Sequence, residues 1–327
     1  MIDRTLSSTA LRTYWLGRYL ERAGSTARLV SVNANLMIDL PALLSLGWMP
    51  LVQILSQEEE YLSLYGDKLA AGTSAADRNE RENNEKSVVK FLLSDQRNPG
   101  SLLNALAFAR ENARTLRGSF PRGAYEHINE AYLSAKDLLQ EPLSRSRRNT
   151  GLQEIIGHLD LINGFLSSTM LHNASWQFYR LGNFIERADM TTRLIDLRTT
   201  NLEKSTSDLE PFTIIQWRSV LNSLDSMQNY TISMQNPVNQ EDVLEFLLKN
   251  DDLPRSLMRC LNTVRNCLRQ LPNNTEPLEL VNNMRRQLQR ARVRTLKDDR
   301  LHKYVDTRQK QLFTLHNKIT KQYFPQS

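Results

Sequence analysis

Two cysteines in 327 residues give no disulfide framework. Cys260 and Cys267 stand seven apart on one predicted helix, too far along its axis to bridge, so they are expected as reduced thiols packed in an interior. Glycine and proline are also scarce, 12 and 11 residues, and no pair of apolar runs is joined by a hairpin turn, which leaves little room for a β architecture. No run of eighteen apolar residues occurs, so no membrane span is expected. The opening MIDRTLSSTALRTYW lacks an apolar h-region and a small-residue cleavage site, which points to a cytoplasmic chain. The phosphate-cradling patterns G-x-x-x-x-G-K-[ST] and G-x-G-x-x-G are missing, as is the G-x-S-x-G elbow, so nucleotide binding by this chain itself is not expected.

What remains is a helical pattern that repeats itself. LGRYLERAGSTARL at 16–29 returns as LGNFIERADMTTRL at 181–194, with eight of fourteen positions identical. Typical composition would give about one chance match. A second block, VVKFLLSDQRNPGSL at 88–102, aligns with DVLEFLLKNDDLPRSL at 242–257, matching Phe91 to Phe246 and Pro99 to Pro254. The offsets differ, and the polar segment 66–86 absorbs the difference. Apolar residues at three- and four-residue spacing, punctuated by prolines, predict helices at 7–39, 46–65, 84–96, 99–118, 121–140 and 150–172. A second set follows at 174–202, 211–229, 240–249, 254–270, 276–296 and 299–322. The expected fold is all-α: an internally duplicated helical bundle with pseudo-two-fold related halves, 1–172 and 173–327, packed as one body.

Within the repeated helix, Leu16, Leu20, Ala23, Ala27 and Val30 form an apolar stripe, and Tyr14, Arg18, Glu21, Ser25 and Arg28 fall opposite. Tyr14, Glu21 and Arg28 are spaced by seven, as are Tyr179, Glu186 and Arg193. Gly17 and Gly182 sit beside these lines, in helix interiors where glycine costs about 1 kcal/mol relative to alanine. That cost signals close approach by a backbone or a ligand. Three readings of the lines stay open: a solvated face, an ion-pair network that docks the halves, and a ligand site.

The stretches YWLGRYLERAGSTARL, RENARTLR at 110–117 and SSTMLHNASWQFYRLGNFIERADMTTRLID at 167–196 resemble the alpha-E domain family, helical bacterial proteins named for a Glu-Arg signature. The signature falls on Glu21-Arg22 and Glu186-Arg187. The resemblance implies two partners, a circularly permuted ATP-grasp protein and a transglutaminase-like protease. ATP-grasp enzymes form amide bonds through acyl phosphates, so an accessory or substrate-binding role in making or modifying a peptide-like product is implied, with an amino acid or peptide as ligand. The resemblance assigns no chemistry to this chain.

Candidate binding residues are therefore Tyr14, Glu21, Arg22, Arg28, Tyr179, Glu186, Arg187 and Arg193, joined by Arg110 and Arg114, whose i,i+4 guanidiniums suit a carboxylate or phosphate clamp. Glu21 and Glu186 are also the candidates for an acid or base in the alternative reading, an autonomous helical enzyme. For Glu21, Arg18 and Ser25 are the nearest available partners on its own helix. No histidine lies three residues after a glutamate, and Glu154 with His158 is a single i,i+4 pair, so neither a metal nor a cofactor is expected. The net charge of +6 is concentrated in RRQLQRARVRTLK at 285–297, where Arg286, Arg290, Arg294 and Lys297 are expected to share one helical face. A basic scaffold for nucleic acid is the remaining alternative, opposed by the lack of aromatic residues there. SRSRR at 144–148 reads as a smaller basic turn.

Overall fold

Four helices begin at side-chain caps written in the sequence. Ser101, Ser144, Asn239 and Ser256 each accept a hydrogen bond from the backbone N–H three residues on, satisfying a donor that the first turn leaves orphaned. The computed structural model describes residues 7–39, 47–70, 78–140, 144–202 and 210–325. Their regular structure is helical throughout: α1 (Ser7–Asp39), α2 (Met49–Ile54), α3 (Glu58–Ala70), α4 (Arg78–Leu93), α5 (Leu102–Thr115), α6 (Gly123–Leu138) and α7 (Arg145–Thr169). They are followed by α8 (Ala174–Leu202), α9 (Glu210–Ser223), α10 (Met227–Met234), α11 (Gln240–Lys249), α12 (Leu257–Arg269), α13 (Thr275–Arg290) and α14 (Asp298–Tyr323). The all-α expectation holds.

Helices α1 and α8 form the axis of the molecule. They pack on each other along much of their length, and α5 and α7 cover α1 while α12 and α14 cover α8. The short helices cross over, α2 lying on α8 and α9 on α1. One apolar core runs through all of these contacts, with Trp217, Tyr14, Tyr61, Tyr230, Phe91 and Phe246 as its largest fully buried side chains.

Two predicted helices are each broken in two. The span 46–65 divides at Ser56 and 211–229 at Asp225, both with left-handed backbones at φ 53° and 50°. Gln57 N–H then reaches back to Val52 O, and Ser226 N–H to Leu221 O, the six-to-one bonds of a left-handed helix stop. Such stops favour glycine, and neither position carries one, so the breaks gave no sequence signal. They turn α3 and α10 so that Tyr61 meets Phe91 edge-on at 5.2 Å and Tyr230 meets Phe246 at 5.5 Å.

The basic segments are corrected as well. Helix α13 ends at Arg290, because Ala291 turns extended and a single 3₁₀ turn at Val293–Thr295 buries Val293. Arg286 and Arg290 therefore do not share a helix face with Arg294 and Lys297. Those two reach the acidic first turn of α11 instead, Arg294 at 2.6 Å from Asp242 and Lys297 at 3.7 Å from Glu241. SRSRR is the start of α7, not a free turn. Arg148 is buried over Trp48, and both Arg145 and Arg148 hold Glu85 of α4. Cys260 and Cys267 are buried and free, and burial pushes their thiols up to about 12 and about 11.

Candidate functional site

The glycines set the distance between α1 and α8. A Cβ on Gly17 would overlap the carbonyl oxygen of Tyr179 and lie 2.9 Å from the backbone nitrogen of Asn183. One on Gly182 would overlap the carbonyl oxygen of Tyr14 and lie 3.2 Å from the backbone nitrogen of Arg18. The interior glycines thus serve backbone-to-backbone contact, and the two Tyr-Glu-Arg lines are brought face to face.

At that crossing each helix holds the other's glutamate. Glu186 of α8 accepts hydrogen bonds from Arg18 Nε and Arg22 Nε of α1, both at 2.6 Å. Glu21 of α1 accepts from Arg187 Nη2 of α8 at 2.7 Å, from Asn183 Nδ2 at 3.2 Å and from Arg255 Nη1, just before α12, at 2.6 Å. Arg18 and Ser25 do not pair with Glu21, because the partner helix offers better-aligned guanidiniums. Glu21 and Glu186 are 2% and 4% exposed, which excludes a solvated face for them.

Burial alone would raise both carboxyls, but the arginines outweigh it. Arg187 and Arg255 hold Glu21 well below the ordinary carboxylate range, and Arg18 and Arg22 bring Glu186 down to about 2. Both groups stay ionised, and neither has a proton to donate near neutral pH. Their folded values lie below those of the unfolded chain, about 4.3 for glutamate. The pairs therefore contribute fully above that value, and the contribution is lost as the pH falls toward 2. Acid titration followed by circular dichroism at fixed ionic strength should show unfolding within about pH 2–4.5. In Glu186→Gln the transition should be shallower and start from a lower melting temperature; an identical acid limb would argue against this origin.

The tyrosines at the line ends are buried too. The Tyr14 hydroxyl shares a hydrogen bond of 2.8 Å with Nδ1 of His316 on α14, and Tyr179 donates to Oδ1 of Asn163 on α7 at 2.6 Å. Burial and then Arg18 push His316 down to about 4, so its imidazole is neutral at physiological pH. Arg193 pairs with Asp189 at 2.7 Å and donates to Ile54 O and Ser56 Oγ, tying α8 to α2. A groove of about 450 Å³ between α8 and α14 exposes Arg18, Asp189, Arg193, Gln309 and His316. A larger cavity, about 590 Å³, opens around Phe120 and Leu171 and is lined by no ionisable side chain.

Arg110 and Arg114 are not brought to this crossing and do not converge on a shared position. Arg110 Nε donates to Asn129 on α6, and Arg114 pairs on the surface with Glu111. Arg265 repeats the first of these bonds with Asn282 of α13. Glu154 and His158 approach to 3.9 Å on α7. Sequence reasoning missed Asn183, Arg255, His316 and Asn163. Asn183 was within reach, since it aligns with Arg18 in the repeat, but the other three depend on tertiary packing.

A family model described as a predicted alpha-helical domain with a conserved ER motif matches residues 5–324. The chain belongs to the Alpha-E family. The ER motif of this Alpha-E chain corresponds in residue type to Glu21-Arg22 and Glu186-Arg187, the four residues that interlock at the helix crossing. Among curated relatives it is similar to an uncharacterized protein of Mycobacterium bovis and to uncharacterized proteins of two Mycobacterium tuberculosis strains. Each is 23% identical over 295 residues, covering 87% of this chain and 32% of the relative. The Alpha-E chain thus spans about a third of the length of the curated relatives it matches. No solved structure matches it significantly. No described helix is long and apolar enough to cross a membrane.

Proposed function

We propose that this chain is an accessory or substrate-binding protein that acts with an ATP-grasp amide ligase in the synthesis or modification of a peptide-like product. Its segments 1–172 and 173–327 act in this reading as duplicated, pseudo-two-fold related halves. The observation that carries it is the state of the two signature glutamates. Each is buried, ionised and held between two arginines. A carboxylate so held is a poor general acid and a weak base, and its charge is already offset by two guanidiniums, which disfavours capture of an external ammonium. The Glu-Arg motif then works as a clasp that fixes the arrangement of α1 and α8, and the groove along Arg18, Arg193 and His316 is one face on which a ligand can be held. The circularly permuted ATP-grasp protein and the transglutaminase-like protease are the partners that family resemblance implies, and the setting is the bacterial cytoplasm.

The alternative of an autonomous enzyme using Glu21 or Glu186 loses support from the same ion pairs. A nucleic-acid scaffold loses it from Arg294 and Lys297, whose charges are directed at α11. The deciding experiment is co-purification of the tagged chain from its source cells, followed by assay of ATP-dependent amide formation with and without it. Recovery of an ATP-grasp protein whose turnover rises at least tenfold on adding the chain is the expected result. Turnover by the purified chain alone, or an ATP-grasp protein indifferent to it, would overturn the reading.

A further inference from the structure

Helix α1 carries a buried arginine that makes no direct ion pair with any described carboxylate. Arg28 is 7% exposed, and among the described residues its Nε has no hydrogen-bond partner and its guanidinium forms no ion pair. Its charged surroundings are Arg255 and Arg187, both drawn to Glu21, and Asp160 on the exposed side of α7. Three guanidiniums thus share the one buried carboxylate of Glu21. Burial and then Arg255 lower the pKa of Arg28 to about 10, which still leaves it charged at neutral pH. An uncompensated charge in such a place is costly, and a counter-ion relieves that cost.

The repeat shows what is missing. Arg193, the matching residue of α8, is neutralised by Asp189 one turn earlier. The residue that aligns with Asp189 in α1 is Gly24. Without a side chain there, the guanidinium of Arg28 folds back along its own helix, and a Cβ on Gly24 would lie 3.0 Å from its Nη2 and 3.5 Å from Leu159 Cδ1. One copy of the motif carries its own carboxylate, and the other has glycine in its place. We propose that Arg28, with Arg255 beside it, binds the carboxylate of an external ligand, the terminal carboxylate of an amino acid or peptide, in the role that Asp189 plays for Arg193. The choice of an amino-acid or peptide carboxylate rests on the ligand-binding function proposed above; the unbalanced charge stands without it.

The test is isothermal titration of the full chain, in low-chloride buffer, with N-acetylglycine, with its neutral amide N-acetylglycinamide, and with inorganic phosphate. Saturable one-site binding of N-acetylglycine but not of the amide is expected, weakened at least tenfold by Arg28→Gln. Gly24→Asp supplies an internal carboxylate and should abolish binding while raising the melting temperature; it also decides the matter should Arg28→Gln fail to fold. Asp160→Asn should bind at least as well as the wild type. The proposal is overturned by a wild type that binds no N-acetylglycine or prefers phosphate, or by a Gly24→Asp variant of unchanged affinity. Asp160→Asn that loses binding together with several degrees of melting temperature would make Asp160 the counter-ion and sink it equally. Because the titration needs no partner protein, its outcome is separate from that of the co-purification.

Discussion

Glu21→Gln is expected to lower the stability of this protein by about 3–5 kcal/mol, the usual cost of removing one partner from a buried ion pair. The side chain is almost wholly enclosed, and among the described residues it is the one buried carboxylate within reach of Arg187, Arg255 and Arg28. The amide keeps the shape but not the charge, and its NH₂ group would be turned toward guanidiniums that have only hydrogens to offer. Thermal unfolding should show a loss of roughly 6–20 °C, taking about 2–4 °C per kcal/mol for a large domain. Arg255→Gln should cost less, since Arg187 and Asn183 still hold Glu21. A Glu21→Gln variant that melts with the wild type would show that the crossing does not depend on this charge, and the clasp would have to be abandoned.

The second large effect is steric. Gly182→Val should cost more than about 3 kcal/mol, at or beyond the upper end of ordinary overpacking, and is expected to yield little folded protein. The added carbon overlaps the backbone carbonyl of Tyr14, which belongs to a long helix and has no rotamer through which to retreat. Gly17→Val should behave alike against Tyr179 O. The control is Gly157→Ala in α7, where nothing lies within 4 Å of the new carbon. There the helix should gain up to about 1 kcal/mol from the better propensity of alanine. Denaturant midpoints for the three variants check this expectation: if Gly182→Val unfolds like Gly157→Ala, the two helices do not touch at these glycines.

These expectations separate what could be read from residue order and what could not. The helices were legible because apolar periodicity and caps such as Ser101 and Ser256 act within a few residues of themselves. Their breaks at Ser56 and Asp225 were not, because a left-handed stop without glycine is stabilised by hydrogen bonds of the folded turn rather than by residue type. The basic run at 285–297 misled for a related reason. Burial of Val293 and the pull of Asp242 on Arg294 end α13 where periodicity would continue it.

The candidate site divides along the same line. Sequence alone determined that the Tyr-Glu-Arg spacing occurs twice, that each stretch has a glycine beside its charged line, and that the two stretches differ at Gly24 and Asp189. Only the tertiary structure decided that each glutamate is held by the opposite helix, that Arg255 joins one of them, and that Arg28 is buried without a direct ion pair among the described residues. The reason is physical. Helix-forming tendency and side-chain order are local properties, whereas a charge is stabilised by whatever lies within a few ångströms in space, and here that partner is more than 160 residues away along the chain.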